Sequence, residues 1–402
     1  MLNSMQLHIT TLSGLEPVLE QELRSLGMEV LDQGQQVISC TGTDESIYRL
    51  NLCLRTGLRV LWEIHRAAIE SVQELYREAK SIPWEHFIHP RQTIAVSVSC
   101  SEVDWASPRY LPLVVKDAVV DRFSETFGKR PSVDPHAPHL PIHLHLAGKV
   151  GIFSLDTSGE SLHRRGYRLE KTLAPLNEVL AAGILKLIGW KPNVSLYDPM
   201  CGSGTFLIEA GLMAYEIPPG ILRPHFAFQN WKVFDNTLYK KIRGELEELP
   251  IKLHEGKRSV ANQAATVSDS MEFTLFGSDK DPKALEITQR NLIRAGLQGK
   301  VRLFRGAFET SPSPFPPGQG GLLLMNPPYG KRLQDPELVT LYRTIGDTLK
   351  RNYTGSQAWI LSGNPEAAKH IGLRPFKKYA LKNGPLDCKL LGFTLLQGKY
   401  TT

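Results

Sequence analysis

Three short segments in the C-terminal half of the chain place glycine, proline, acidic or amide residues at the ends of apolar runs. In the first, LYDPMCGSGTFLIEA, an apolar strand ends at Asp198, and a turn containing Gly202 and Gly204 opens a helix near Thr205. Glycine lets a backbone approach a ligand closely, and the free amides at a helix start can bind a carboxylate or another acceptor. The segment lacks the G-x-x-x-x-G-K-[ST] spacing of a phosphate loop, which disfavours ATP. The turn therefore predicts a nucleotide-like ligand.

The second segment, FTLFGSDKDP, lies one strand further along the chain and places Asp279 at a strand end. A carboxylate at this position can accept hydrogen bonds from both hydroxyls of a ribose, as in dinucleotide-binding folds. Asp281 precedes Pro282 and an amphipathic run, which predicts that it caps a helix. We therefore predict ribose binding for Asp279, with a plain turn residue as the alternative.

The third segment is LLLMNPPYGKRL, in which an apolar strand delivers Asn326 to its carboxyl end and Pro327 and Pro328 fix the backbone that follows. If the Asn326 side-chain oxygen and the Pro327 carbonyl accept the two N–H bonds of a planar amine, they orient its lone pair toward a sulfonium methyl group. Tyr329 can stack on a base that has left its pairing partner, a contact of about 1–3 kcal/mol. A proline-rich loop is the alternative for this segment alone. Following the other two motifs in order, it predicts an amine methyltransferase that uses S-adenosylmethionine.

Histidine and cysteine offer weaker candidates for chemistry. Four histidines in one region could form a metal cluster, but no cysteine or carboxylate spacing supports it, and we expect no metal: His136, His139, His143, His145. Cys201 and Cys388 could be nucleophiles, although an Asn-Pro-Pro-Tyr site needs no covalent step. We expect both cysteines to be structural.

The elements that must position these motifs change in type along the chain. From residue 176 onward strands and helices alternate, which predicts a mainly parallel, doubly wound sheet, whereas residues 5–157 show a mixed α+β pattern. Residues 215–270 form a long insertion and residues 310–320 a loop. Between the two halves, residues 158–172 are polar and basic, which fits either a connector lying against nucleic acid or a solvated linker.

Composition and charge agree with a multidomain protein that meets a polyanion. The 402 residues are 42% hydrophobic and 22% charged, which excludes a disordered chain and suggests about two or three domains. No apolar run reaches the roughly 18 residues of a membrane span, and the N-terminus does not resemble a secretion signal, so we expect a soluble, cytoplasmic protein. Residues 169–402 hold 30 Lys+Arg against 21 Asp+Glu, while residues 1–168 hold 17 against 20. The basic part fits nucleic acid, with ordinary surface charge as the alternative.

Six segments in order carry a resemblance to a known family: VVKDAVVDRF, SGESLHRRGYR, LAPLNEVLAAGIL, DPMCGSGTFLIEA, NPPYGKRL and NGPLDCKL. With them the chain resembles the THUMP-domain RNA guanine-N2 methyltransferases, often labelled N6-adenine-specific methylases, and is similar to the N-terminal half of the bifunctional bacterial 23S rRNA enzymes. The resemblance implies part of a ferredoxin-like lobe at 1–45, a THUMP RNA-binding domain at 46–157, a basic connector at 158–175 and a Rossmann-like class I methyltransferase domain at 176–402.

The resemblance also implies roles for individual residues. The cofactor-binding residues would be Leu173, Pro175, Asp198, Pro199, Gly202, Gly204, Thr205, Asp279, Ala307, Phe308 and Asn326. Ala307 and Phe308 occupy a stretch where relatives often carry an aspartate, which puts a side-chain contact to the adenine amino group in doubt. The target amine would meet Asn326, Pro327, Pro328 and Tyr329. From the distribution of charge, we separately expect RNA to meet Arg164, Arg165, Arg168 and Lys331.

The function implied is N2-methylation of a guanine in 23S ribosomal RNA, with the base flipped into the Asn-Pro-Pro-Tyr site. N6-methylation of adenine in DNA or RNA is an alternative, since the same motif serves any exocyclic amine, and a non-catalytic ribosome assembly factor is another. The THUMP-like front half favours RNA. No second methyltransferase domain follows, so we do not expect the second activity of the bifunctional enzymes.

Overall fold

The computed structural model describes residues 4–168, 176–261, 274–316, 318–328 and 335–396. Two compact units are built from the described parts of the chain. The first unit takes residues 1–11, 19–164 and 223–245, and the second takes residues 12–18, 165–222 and 246–402.

The first unit contains one eight-stranded sheet with the strand order β2-β3-β1-β4-β8-β7-β5-β6. Its strands are β1 (Met5–Thr10), β2 (Val30–Gly34), β3 (Val37–Gly42), β4 (Arg59–Ala68), β5 (Thr93–Ser101), β6 (Ser132–Val133), β7 (Leu140–Ala147) and β8 (Val150–Asp156). The helices of this part of the chain are α1 (Glu16–Ser25), α2 (Asp44–Cys53), α3 (Val72–Ser81) and α4 (Leu111–Phe127). The predicted domain boundary at residue 45 falls inside α2.

Alternating side chains explain why β7 buries one face more deeply than the other. Ile142 and Leu144 are apolar and buried, whereas His143 and His145, which alternate with them, are half-buried. A period of two places successive side chains on opposite faces of the sheet. β7 and β8 pair as an antiparallel hairpin around Gly148, whose φ is +55°.

Part of the predicted insertion belongs to the first unit. Phe228 and Trp231 are buried there, with the Phe228 ring 4.9 Å from that of Tyr48, and the Trp231 indole N–H donates to the His139 carbonyl at 3.0 Å. Residues 223–245 therefore complete the core of a unit that is otherwise made from the front of the chain.

The second unit has a seven-stranded sheet with the order β11-β10-β9-β12-β13-β15-β14. Its strands are β9 (Leu196–Asp198), β10 (Leu275–Asp279), β11 (Val301–Arg305), β12 (Leu322–Met325), β13 (Gln357–Ser362), β14 (Lys377–Asn383) and β15 (Leu386–Thr394). The remaining helices are α5 (Glu178–Leu187), α6 (Thr205–Ala214), α7 (Asn236–Ala261), α8 (Pro282–Arg294), α9 (Asp335–Asn352) and α10 (Pro365–Lys369).

Five neighbouring strands of this sheet pair in parallel, in the order β11, β10, β9, β12 and β13. Beyond β13 the sheet continues with the antiparallel strands β15 and β14. The doubly wound class I methyltransferase fold predicted from the sequence is thus confirmed. The chain winds outward from β9 in one direction through β10 and β11, and in the other through β12 and β13. Ligands of such sheets bind at the carboxyl ends of the strands where the winding reverses, here β9 and β12. Within the described part of the chain, no helix combines the length and apolar character of a membrane span.

Candidate cofactor and target site

A cavity of about 1010 Å³ opens at the carboxyl ends of β9, β10 and β12. Its size is at the upper end of the range for small-molecule sites. Eight of the predicted cofactor residues line it: Asp198, Pro199, Gly202, Thr205, Asp279, Ala307, Phe308 and Asn326. Pro328 lines it as well. The structure therefore brings the three sequence motifs together at the switch point of the sheet.

The glycine turn connects β9 to α6. Gly202 and Gly204 have φ values of +55° and +79°, a region that side chains other than glycine rarely occupy. A Cβ on Gly204 would also lie 2.6 Å from Cγ2 of Thr288 on α8. Gly204 is not among the residues that line the cavity, so its place in the structure is explained by the turn and by its packing on α8.

Asp279 ties this turn to the end of β10. Its Oδ2 accepts a hydrogen bond from the Gly202 amide at 3.0 Å, and its Oδ1 accepts one from the Asp281 amide, also at 3.0 Å. Asp281 in turn accepts from the Lys283 amide at 2.9 Å, which confirms the predicted helix cap. The Asp279 carboxylate lines the cavity from a position that two backbone amides fix.

Asp198 adds a second carboxylate to the cavity wall. It is 2% exposed, and its Oδ1 accepts from the Met200 amide at 3.1 Å. Burial raises the pKa of Asp198 to about 8, the Asp279 charge raises it further, and the Met200 amide opposes both. The Asp279 charge favours a ligand that carries positive charge, and such a ligand would in turn favour the ionised form of Asp198.

Asn326 directly follows β12, and its side-chain oxygen is buried. Among the described residues that oxygen has no hydrogen-bond partner. A buried acceptor without a donor costs about 1–3 kcal/mol, which a ligand N–H at this place would offset. Gly202, the two acidic residues and Asn326 give this cavity groups that fit S-adenosylmethionine.

Several predicted site residues lie outside the described residues: Leu173, Pro175, Tyr329 and Lys331. Pro327 is described and buried, but it is not among the residues that line the cavity.

One wall of the cavity was not foreseen. Four residues on one side of α9 line it: Glu337, Thr340, Leu341 and Thr344. Their spacing of three and four residues places them on one helix face. That spacing is visible in the sequence, but the same pattern occurs on any solvated helix face. It therefore gives no sign of a ligand before the fold is known.

The three arginines predicted to contact RNA differ in their surroundings. Arg164 is exposed and forms an ion pair with Glu160 at 2.6 Å. Arg165 is 2% exposed, with its Nε 3.5 Å from Glu209. The Arg168 side chain is 12% exposed and lies 3.3 Å from Glu178. The prediction of RNA contact is therefore corrected for Arg165 and Arg168, because their guanidinium groups are buried against protein acceptors.

The remaining candidates have structural surroundings. His143 hydrogen-bonds Ser97 at 2.9 Å, and His145 hydrogen-bonds Ser99 at 2.8 Å. No group of His, Cys, Asp or Glu in the described ranges is arranged to hold a metal. Burial raises the pKa of the Cys201 thiol well above its ordinary value, which disfavours the reactive thiolate.

Comparisons with known proteins place each part of the chain. The RMKL-like methyltransferase domain profile (UPF0020) matches residues 165–391, the RlmL ferredoxin-like domain matches residues 6–61, and the THUMP domain matches residues 70–156. These matches agree with the order of domains that the resemblance implies.

Two curated relatives and one solved structure are similar over nearly the whole chain. "Ribosomal RNA large subunit methyltransferase K/L" of Syntrophotalea carbinolica is 39% identical over 407 residues, covering 97% of this chain and 54% of that protein. A candidate RNA methyltransferase of Synechocystis sp., slr0064, is 36% identical over 387 residues, covering 96% of each. The crystal structure of SMU.472, a candidate methyltransferase in complex with SAH, shares 27% identity with a TM-score of 0.81, covering 99% of this chain and 100% of that one. The chain thus spans about half the length of the K/L relative and nearly all of the Synechocystis one.

Proposed function

The chain belongs to the RMKL-like methyltransferase family, with S-adenosylmethionine as cofactor, and from this premise we propose that it methylates the N2 amine of a guanine in 23S ribosomal RNA. The family and the fold identify S-adenosylmethionine as the cofactor. The RNA substrate is supported by the THUMP domain and by the names of the relatives. The choice of guanine is supported only by the family resemblance of the sequence.

The observation that carries the proposal is Asn326 at the end of β12, which lines the cavity with Asp198 and Asp279 and whose buried side-chain oxygen has no hydrogen-bond partner among the described residues. An exocyclic amine is a weak nucleophile because its lone pair is delocalised into the ring. An acceptor fixed at a strand end can bind one amine N–H and favour the positive charge that develops as nitrogen is alkylated. The Pro327 carbonyl is proposed to bind the second N–H.

S-adenosylmethionine, when bound, supplies an electrophilic methyl group on a sulfonium sulfur. The chain's own residues are proposed to orient the cofactor and the target base and to exclude water. Asp279 is proposed to hold the ribose of the cofactor. Asp198 and the turn at Gly202 are proposed to hold its methionine end. Tyr329 is proposed to stack on the flipped base, and Arg164 and Lys331 to contact RNA phosphates.

Mass spectrometry of nucleosides tests the proposal. Ribosomal RNA is incubated with the full chain and S-adenosylmethionine, using wild type and Asn326→Ala in parallel. We expect N2-methylguanosine with wild type and at least about a hundredfold less with the variant, since a lost transition-state hydrogen bond has that scale.

A binding measurement serves as the control for this experiment. Asn326→Ala should bind SAH within about threefold of wild type, because the lost oxygen is proposed to serve the amine. If N6-methyladenosine appeared instead, the target base would be adenine and the assignment of guanine would be wrong. Absence of any methylated product from wild type that binds SAH would favour an assembly factor.

A further inference from the structure

Three connector residues of the second unit, Arg165, Tyr167 and Arg168, pack against helices α5 and α6. Arg165 and Tyr167 are 2% and 1% exposed. Removing a charged group from water costs several kcal/mol unless good partners replace the water. The partners of these side chains therefore indicate what the connector does.

Arg168 contacts the first residues of two helices. Its Nη2 donates to Oγ1 of Thr205 at 2.5 Å and to the carbonyl of Leu176 at 3.1 Å. Its Nη1 lies 3.3 Å from Oε1 of Glu178. Thr205 begins α6 directly after the glycine turn and lines the cavity, while Glu178 begins α5. One guanidinium group thus joins both helix starts.

Glu209 provides a second point of attachment, one turn further along α6. It is completely buried, and its Oε1 accepts from the Tyr167 hydroxyl at 3.2 Å and lies 3.5 Å from the Arg165 Nε. Residues four apart share one face of a helix, so Thr205 and Glu209 lie on the same stripe of α6. The connector therefore holds this stripe at two places.

Within the described residues, the hydrogen bonding of this network is incomplete. In the described part of the chain, the Glu209 Oε2 and the Arg168 Nε are buried without a hydrogen-bond partner. Buried ion pairs can often be replaced by apolar residues of similar volume with no loss of stability. An apolar residue in place of Arg168 would lose the two hydrogen bonds that its Nη2 donates to Thr205 and Leu176, beside the glycine turn.

We propose that Arg168 is a positioning residue for cofactor binding, which acts through Thr205 to hold the start of α6 and the glycine turn before it in the binding geometry. The inference deepens the proposed function, because it concerns the same cofactor cavity, and it does not depend on which base is methylated. It also gives this buried arginine a role other than RNA contact.

Isothermal titration of SAH into the full chain measures the effect. We expect Arg168→Met to weaken SAH binding at least about tenfold, since hydrogen bonds to charged groups contribute about 1.5–3 kcal/mol and 1.4 kcal/mol corresponds to a factor of about ten. Arg168→Lys keeps the charge beside Glu178 but loses the fork, so an intermediate loss is expected. Arg164→Met is the matched control: an exposed arginine of the same connector, expected to leave the SAH affinity unchanged and to reduce the salt dependence of RNA binding.

A double-mutant cycle with Thr205→Val separates positioning from general destabilisation. If Arg168 acts through Thr205, the fold-loss of SAH affinity caused by Arg168→Met should be less than half as large in the Thr205→Val background as in wild type. Equal effects in both backgrounds would overturn the proposal. Thermal unfolding of each variant is measured beside the titration, so that a loss of fold is recognised.

Two milder variants keep the test decisive if Arg168→Met does not fold. Should Arg168→Lys and Thr205→Val both bind SAH within about twofold of wild type, the proposal is overturned. A wrong base assignment would show as a different methylated nucleoside with these SAH results intact, and a wrong positioning role as wild-type SAH binding with the expected nucleoside.

Discussion

At the scale of single residues, one carboxyl group in the cavity wall is buried, and burial disfavours its ionised form. Asp198 receives one backbone hydrogen bond but faces a second carboxylate, Asp279, and its pKa is raised to about 8. Between the ordinary carboxyl pKa and about 8, the unfolded chain carries this charge while the folded protein retains the proton. Stability is therefore lost as pH rises through that window.

Asp198→Asn should remove this pH dependence. The amide oxygen can still accept from Met200, so the variant keeps the turn but needs no ionisation. We expect its free energy of unfolding, relative to wild type, to rise by at least about 1 kcal/mol between about pH 5 and pH 8. Urea unfolding across that range checks it, with the exposed Asp387→Asn as control. A constant difference at all pH values would contradict the raised pKa.

The same residue should matter in the opposite sense for the cofactor. Ionised Asp198 favours a positively charged ligand, so we expect Asp198→Asn to weaken S-adenosylmethionine binding several-fold while the apo protein becomes more stable. Titration of S-adenosylmethionine at about pH 8, where the wild-type carboxyl is about half ionised, measures this effect. Unchanged affinity would mean that Asp198 shapes the turn without contributing charge.

The sequence predicted many residue positions correctly because they obey local rules. The Asp281 cap follows from an aspartate before a proline, and the Asp198, Asp279 and Asn326 positions follow from strand ends in a parallel sheet. The connector arginines could not be assigned in this way. One partner of Arg165 is Glu209, 44 residues later, and a basic run alone does not distinguish a buried ion pair from an RNA contact.

At the scale of elements, helix and strand types follow from periodicity, whereas close packing between elements does not. The antiparallel strands β14 and β15 were not predicted. They form a hairpin with each other, and β15 pairs with β13, the last parallel strand, a partner that only the fold supplies. The tight approach of Gly346, on α9, to the residues after α10 is likewise invisible in sequence. A Cβ at Gly346 would lie 1.8 Å from the Ile371 carbonyl oxygen, so only glycine admits this packing.

Two helical glycines provide a matched pair for this packing. Gly346→Ala should lose about 1–3 kcal/mol of stability, because a backbone carbonyl must move to admit the methyl group. Gly244→Ala, on α7, meets nothing within 4 Å and should gain up to about 1 kcal/mol from helix propensity. Chemical denaturation of both variants checks the contrast. Similar changes for the two would show that α9 can move away from Ile371 without cost.

At the scale of the whole molecule, the chain leaves the second unit, contributes residues 223–245 to the first, and returns. The sequence reveals an insertion but not its destination. The reason is physical: Trp231 and Phe228 find their partners at His139 and Tyr48, far away in the chain and without a periodic pattern. A segment that interrupts one unit in sequence is part of the other in space.

Two buried tryptophans, one in each unit, test this assignment in the intact chain. Trp231→Ala removes an indole that is 5% exposed and bonded to the His139 carbonyl, and Trp359→Ala removes one that is 3% exposed on β13. Truncating a buried tryptophan typically costs about 3–5 kcal/mol. Because local opening follows cooperative units, hydrogen exchange should accelerate in β4 and β7 for Trp231→Ala, and in β12 and β13 for Trp359→Ala. If Trp231→Ala instead loosened β12 and β13 as much as β4 and β7, residues 223–245 would not be part of the first unit's core.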